Sequence, residues 1–472
     1  MAKELWGYAF GLPREARIQH LNLPAPPAIA DFVGVGAASS IQSVPYNTET
    51  AIKYLLANYD PFFFWSAGAP TRFTVPAGKS GKYAWFASGI RLTAVADSSS
   101  SIGQYLNSIA DSPANIERSN AIAGTSGDQL FDFASVDLAV ADYVEEIVHY
   151  GTSKTDPHIA TLWNGGAEMV QMRSLSPDGF ISDKYSGSII AAAALTSDTW
   201  AVLAASGTLG ASVWTVGTPI MQAYGQAIAP VTGVYRLSAT LSKANIEPAG
   251  ADINNYDTGF RWLINSTRII ANKTRRGWPR TSIAPFGPIA DFISDYTLIY
   301  LTAGDTIDFG AIETNAAPSP LYDLNFVSLE VTLISTLDTA GMLKCNGQNI
   351  NSNSPPIVTA INTWTNDSTG TKFTSGATGI VATQAGIAEF FVNGAFQANA
   401  TGERFIQLRK NGSSVRQVRE TTTNGATQEW GGSLGFVDFN VQMGDNYTVC
   451  VRQNSGGILS FSGRFGGNFL TV

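Results

Sequence analysis

A single strand–turn–strand phrase occurs three times in the sequence, and that repetition constrains the fold more than any other feature. The clearest copy spans residues 441–459. There Gly444-Asp445 marks a tight turn, and Tyr447, Val449 and Val451 then fall two apart, the period of a strand with one buried face. Residues 298–312 repeat it with Gly304-Asp305 followed by Ile307, Phe309 and Ala311, and residues 136–150 with Ala141-Asp142 followed by Val144 and Val148. Two further markers precede each aspartate in the same order, a turn glycine (Gly81, Gly233, Gly386) and a hairpin asparagine (Asn107, Asn265, Asn411). The steps are 26, 32 and 25 residues from glycine to asparagine, then 35, 40 and 34 from asparagine to aspartate. Three markers in one order at matched intervals define a tandem repeat.

The chain has 472 residues, which corresponds to about three domains. Charged residues make up only 14%, against 46 Gly and 21 Pro, and this balance favours an all-β protein over a helical one. A net charge of -8 supplies no general attraction to nucleic acid or to an anionic membrane. Two cysteines, Cys345 and Cys450, do not make a disulfide-stapled scaffold, and two structural thiols are expected. The opening Met-Ala-Lys-Glu-Leu-Trp lacks the apolar core of a signal peptide. Apolar runs such as Ile189 to Leu195 fall short of the roughly 20 residues that span a bilayer. No membrane insertion is expected, and a soluble protein made in a cytoplasm is.

Residues 1–34 differ from the remainder. Pro13, Pro24, Pro26 and Pro27 break any helix, while Trp6, Tyr8, Phe10 and Phe32 are apolar enough to need a partner surface. This segment reads as an extended anchoring arm. The repeats follow at 35–176, 177–337 and 338–472, each with short strands, frequent turns and no long helical period. That pattern indicates two-sheet sandwiches. The fold class expected from the pattern is therefore all-β, with three tandem antiparallel two-sheet sandwiches after an extended N-terminal arm; that these are jelly rolls is what the resemblance described next implies. Residues 48–59 fit either a short helix, with Ile52, Leu55, Leu56 and Tyr59 on one face, or an edge strand. A closing strand through His158 to Trp163 is expected to turn at Asn164-Gly165 and return through Met169.

Several of these stretches resemble a known family. They are Val75-Pro-Ala-Gly-Lys-Ser-Gly-Lys-Tyr83, the Arg-Lys-Asn-Gly turn at 409–412, and Met443-Gly-Asp445 with Gln453-Asn-Ser-Gly-Gly457. Together they resemble the C1q-like jelly roll, which shares its fold with tumour necrosis factor and is carried by many phage fibre, spike and decoration proteins. The resemblance is closest in the third repeat, weaker in the first and weakest in the second. The first copy departs from the pattern with Ala141 in place of glycine and Glu146 where Phe309 and Val449 stand. What the resemblance implies is a ten-strand jelly roll assembled as a homotrimer, burying an aromatic-rich face about a three-fold axis. Tyr83-Ala-Trp-Phe and Glu389-Phe-Phe-Val fit that implication, being apolar on both faces, as expected when one face meets its own sandwich and the other a subunit.

Candidate chemistry is sparse. The three histidines, His20, His149 and His158, stand in no serine-elbow or metal-ligand spacing. Glu145 and Glu146 are the obvious acidic pair for a glycosidase, yet neighbours on a strand point to opposite faces and cannot flank one glycosidic bond. Asp142, Asp305 and Asp445 read as turn residues. Asp252, Asp257, Asn254 and Asn255 form an oxygen-rich loop that is read as solvated rather than as a calcium site. No cofactor, catalytic residue or metal ligand is therefore assigned. The basic run Arg268, Lys273, Arg275, Arg276 and Arg280, with Trp278, is out of keeping with an acidic chain. It is a candidate contact to an acidic partner or a host glycan, since an Arg plane beside Trp stacks on sugars.

The expected function is a non-enzymatic virion structural protein: a trimeric capsid-decoration, head-fibre or spike subunit. Its arm (Trp6, Tyr8, Phe10) would anchor on the major capsid protein or another virion protein, and its third repeat would lie farthest from that anchor. The alternative is a tail-fibre receptor-binding adhesin of the same fold, with loops of the distal third repeat recognising a host surface glycan. The chain has no coiled-coil shaft, which favours the head surface or a collar over a tail fibre.

Overall fold

In the computed structural model, the structure describes residues 32–36, 42–46, 48–91, 98–107, 109–110, 116–121, 128–152, 159–171, 181–187, 201–202, 212–216, 226–243, 257–276, 291–314, 324–336, 340–352, 358–370, 372–397, 399, 402–422 and 430–470. Among them every regular element is a strand and every ladder is antiparallel. The fold class is all-β with jelly-roll sandwiches.

Each repeat contributes one inner and one outer sheet. The inner sheet of the first runs Asp128–Leu138, Gly81–Arg91, Ile159–Gln171, Phe32–Gly36, Leu56–Tyr59. The second runs Asp291–Leu301, Gly233–Lys243, Leu324–Ser335, Ile181–Gly187, Ser212–Val216, and the third Trp430–Val441, Gly386–Phe396, Leu459–Phe469, Ala340–Ile350, Thr365–Thr369. The outer sheets are built on Ser98–Leu106 with Tyr143–Thr152, Asp257–Ile264 with Thr306–Thr314, and Gly402–Lys410 with Asn446–Gln453. The strand order is the same in all three, which is the physical content of the sequence repeat.

One local choice is decided and one local expectation changes. Residues 48–59 hold two strands, Glu49–Ala51 and Leu56–Tyr59, and no helix. The polypeptide also does not turn at Asn164-Gly165. Ile159–Gln171 is one strand, with a bulge where the register shifts between Trp163 and Gly166. One extra residue on Ile159–Gln171 is accommodated against Gly81–Arg91, so Asn-Gly here marks a bulge rather than a hairpin. The first described strand, Phe32–Gly36, starts inside the stretch assigned to the arm.

Inside each sandwich the alternation of the strands does what the pattern requires. Tyr83, Trp85 and Ala87 face one core with Phe73, Val144 and Val148, while Ala388, Phe390 and Val392 face another with Tyr447, Val449 and Val451. The other face of each central strand is also buried. Ala84, Phe86, Phe133, Val234, Tyr296, Leu298, Ile387, Phe391 and Val437 form one cluster drawn from all three repeats. The second apolar face, expected to meet another subunit, is filled by the chain's own repeats.

The three central strands meet at equal heights. Arg236, three residues after Gly233, reaches Glu389, three residues after Gly386. Phe86 and Phe391 each stand five residues after their glycine, and Tyr296 pairs with Ser238 at the corresponding height. Around the outside, Ile116–Ala121 packs on Asp291–Leu301, Arg268–Arg276 on Trp430–Val441, and Ser413–Thr422 on Asp128–Leu138. First meets second, second meets third, third meets first. This is a closed ring of head-to-tail contacts, the arrangement a homotrimer uses, within one chain. The repeats lie side by side, so no repeat is farther out than the others, in contrast to the order expected from an anchored arm.

Candidate functional site

Polar and exposed apolar side chains gather in three places: the two ends of the ring and its axis. At one end an asparagine–aspartate clamp recurs in every repeat. Asn107 Nδ2 donates to Asp142 Oδ1 at 2.8 Å, Asn107 Oδ1 accepts from the Tyr143 amide at 2.9 Å, and Asp142 Oδ2 accepts from the Ala139 amide at 2.8 Å. Asn265 and Asp305 repeat the pattern with the amides of Thr306 and Thr302, at 3.0, 2.9 and 2.8 Å. Asn411 and Asp445 do so with Asn446 and Gln442, at 2.7, 2.9 and 2.7 Å. All three asparagines take positive φ, at 52°, 52° and 50°, which asparagine tolerates better than other residues with a side chain. Burial alone would raise Asp445, but the Gln442 amide, Lys410 and Asn411 outweigh it and hold this carboxyl below its usual range. The recurring aspartates are turn locks, each tying two loops together.

The same end receives the first and last of the described residues. Phe32 pairs with Val170, beside Gln171, which pairs with Tyr83 near Gly81. Phe469 pairs with Ala388 near Gly386. Apolar turn tips are exposed here too: Val140 and Met443 stand two residues before their aspartates, with Met443 74% exposed. Phe63 belongs to the same end, its loop tied down by Asp60 through the Phe64 and Trp65 amides at 2.9 and 2.8 Å, and by Lys79 over the Phe62 ring at 3.7 Å. It is 84% exposed, with a positive φ of 62°.

Of the residues nominated for partner binding, Trp6, Tyr8, Phe10, Trp278 and Arg280 lie outside the described residues. Arg275 and Arg276 end the strand Arg268–Arg276, paired with Thr258 and Asp257. That is the end opposite the clamps. Arg268, paired with Ile264, lies at the clamp end, so the basic run stretches from one end to the other rather than forming one patch. Asp252, Asn254 and Asn255, together with His20 and His158, lie outside the described residues.

Glu145 and Glu146 do face opposite ways. Glu145 Oε1 accepts from Thr71 Oγ1 at 2.8 Å and Arg72 Nε at 3.0 Å. Glu146 Oε2 accepts from Trp85 Nε1 at 2.6 Å inside the first sandwich. The departure of Glu146 from Phe309 and Val449 is thereby explained, because Trp85 brings an indole N–H that needs an acceptor where Leu237 and Phe390 bring none.

The axis holds what sequence reasoning missed. Glu389 Oε2 accepts from Arg236 Nη2 at 2.5 Å and from the Tyr296 hydroxyl at 2.9 Å. Asn393 Nδ2 donates to Asp295 Oδ1 at 2.9 Å and to the Tyr296 carbonyl at 3.0 Å. Arg416 bonds Glu168 through Nη2 and Ser88 Oγ through Nη1, the latter at 2.5 Å. Burial together with the Glu389 charge drives the Tyr296 phenol well above its ordinary range, so it serves as a neutral donor. The sequence signal was present as charged residues interrupting apolar central strands: Arg236 inside Val234 to Leu237 and Glu389 inside Ile387 to Val392.

No family model matches the chain, and no curated protein sequence does. Comparison with solved structures finds weak likenesses. One is to a structure described as the triple jelly roll fold and turret assembly in an archaeal virus, at 10% identity and TM-score 0.17 over 92% of this chain and 90% of that one. Another is to an atomic structure of Sulfolobus turreted icosahedral virus, at 11% identity and TM-score 0.16 over 92% and 91%. A third is to a tandem CBM22-1-CBM22-2 domain from Paenibacillus barcinonensis Xyn10C, at 9% identity and TM-score 0.17 over 66% and 100%. Likeness at these values carries no conclusion about this chain, whose fold is read from its own ladders.

Proposed function

We propose that this chain is a non-enzymatic virion structural protein, a capsid-decoration, head-fibre or spike subunit, in which one polypeptide supplies the cross-section that jelly-roll trimers build from three. The observation that carries this reading is the filled axis: three sandwiches closed into a ring, with both ends of the described chain at one end of it. We read residues 1–34 as the arm that anchors this end to the major capsid protein or another virion protein, and 35–176, 177–337 and 338–472 as the three sandwiches. The virion assignment itself rests on the resemblance of the turn motifs to phage jelly rolls. Its test is to locate the chain on purified particles by epitope labelling and low-resolution imaging; absence of the chain from particles overturns it. Sedimentation of the whole protein tests the one-chain ring. A 50.1 kDa species supports it. A three-chain species would restore the homotrimer implied by the resemblance, built on a surface other than the axial face.

One observation favours a second reading, an adhesin. Arg275 and Arg276 lie at the end away from Phe32 and Phe469, where a host glycan would approach. A glycan array probed with the full chain, and with Arg275→Ala/Arg276→Ala, decides it; no binding leaves the structural role alone.

A further inference from the structure

The three seams of the ring are not equivalent. The first and second repeats are joined through residues 172–180, and the second and third through 337–339. The seam between first and third has no covalent link, yet it carries the ladder pair Gln129 with Arg419 that merges their sheets into one of 12 strands. It also carries the Glu168–Arg416–Ser88 contact and the Tyr59–Phe439 stack, with ring centroids 5.0 Å apart. We propose that this seam is a latch at which the ring opens and recloses, with Glu168 and Arg416 deciding which state is held.

Topology supports the location, since opening either of the other seams leaves its partners tethered and returns them at once, whereas the free seam parts without straining a linker. Chemistry supports the control. Glu168 is buried on Ile159–Gln171 and faces Arg416 from Ser413–Thr422, Ser88 from Gly81–Arg91 and the charge of Asp438 from Trp430–Val441. Asp438 is itself paired with Lys410 at 2.7 Å, and Arg416 lies over the Phe436 ring at 5.6 Å. Burial pushes the Glu168 carboxyl up to about 7; Arg416 opposes the rise and Asp438 adds to it. In the opened seam water reaches Glu168 and its carboxyl returns toward 4.5. Between these values the closed state binds the extra proton, so closure is favoured at low pH and is lost as pH rises through about 7.

The test is hydrogen exchange of the full chain at pH 5.5, 7 and 8.5, corrected for intrinsic rates, read on Ser413–Thr422 and Asp128–Leu138 against Asp291–Leu301. Opening at the latch is expected to rise tenfold or more with pH, against a ceiling of about 300-fold set by the two carboxyl values, while Asp291–Leu301 changes little. Glu168→Gln should abolish the pH dependence of opening at the latch. Asp438→Asn should move the transition to lower pH, a second readout should Glu168→Gln fail to fold. Equal protection at the latch and on Asp291–Leu301, a pH-independent latch in the wild type, or an unchanged profile in a folded Glu168→Gln protein overturns the proposal.

Discussion

Consider replacement of Glu389 by glutamine, which keeps the side chain's volume and removes its charge at the centre of the ring. Glu389 and Arg236 are 0% and 3% exposed at the side chain. The Glu389 charge outweighs the burial that would otherwise lower Arg236, and holds the guanidinium above its ordinary range. Without that carboxylate the guanidinium stays charged in a dry site, and breaking such a pair costs about 3–5 kcal/mol. Set against a domain stability of about 5–15 kcal/mol, this is a large loss. The intact pair is nonetheless poorly served, because Arg236 Nε and Nη1 and Glu389 Oε1 have no hydrogen-bond partner among the described residues. Removing both charges together should therefore be neutral or stabilising by about 1–4 kcal/mol, provided that the hydroxyl left behind on Tyr296 is removed as well. The comparison is Glu389→Gln against Arg236→Met/Glu389→Leu/Tyr296→Phe, by urea unfolding at pH 7 with midpoints and slopes fitted separately. A Glu389→Gln midpoint equivalent to less than about 0.5 kcal/mol of loss, or a triple variant as unstable as the single, would refute the account of this pair as a costly contact that specifies which repeats meet.

Further outcomes follow from the clamps and the core. Ala141 takes a φ of 71° where Gly304 and Gly444 take 92° and 93°, so Ala141→Gly should stabilise by about 0.5–1 kcal/mol and Gly444→Ala should destabilise by about 1 kcal/mol, both read as shifts in thermal midpoint. Asn411→Ala should cost about 2 kcal/mol in the same measurement, since it removes the bonds to Asp445 and the Asn446 amide and the residue best suited to that φ; Asn411→Gly should recover part of the loss. The depressed Asp445 carboxyl contributes stability above its ordinary value of 3.8 that disappears as pH falls below it, so an acid titration of unfolding should flatten in Asp445→Asn. Cys345 and Cys450 are free and buried, and burial pushes the Cys450 thiol up, so a thiol reagent should label neither in the native protein and both in urea. Rapid native labelling would contradict the packing.

The features legible in the sequence are those fixed by neighbours along the chain. The asparagine–aspartate spacing could be read because a hairpin tip and a turn each demand a particular residue type, and their pairing in space preserved the interval three times. The opposite faces of Glu145 and Glu146 followed from strand geometry alone. Asn164-Gly165 misled because the same dipeptide suits a hairpin and a bulge, and only the partner strand Gly81–Arg91 selects between them. Residues 48–59 left a choice open for a similar reason: four apolar positions fit a helix face as well as an edge strand, and pairing of Leu56–Tyr59 with Phe32–Gly36 selects the strand.

Local sequence determined that this chain is all-β, that it counts three similar sandwiches, and that each central strand is apolar on both sides. Tertiary structure decided what the second side meets. A strand's alternation states how much surface must leave water, and burial is indifferent to whether the covering atoms belong to another copy or to residues 200 positions away. At Gly435 the choice becomes visible, since an added Cβ would lie 2.9 Å from the ring of Phe86 and 3.2 Å from that of Tyr296, residues from the other two repeats. Packing at that distance depends on three surfaces fitting at once, which no stretch of one strand encodes.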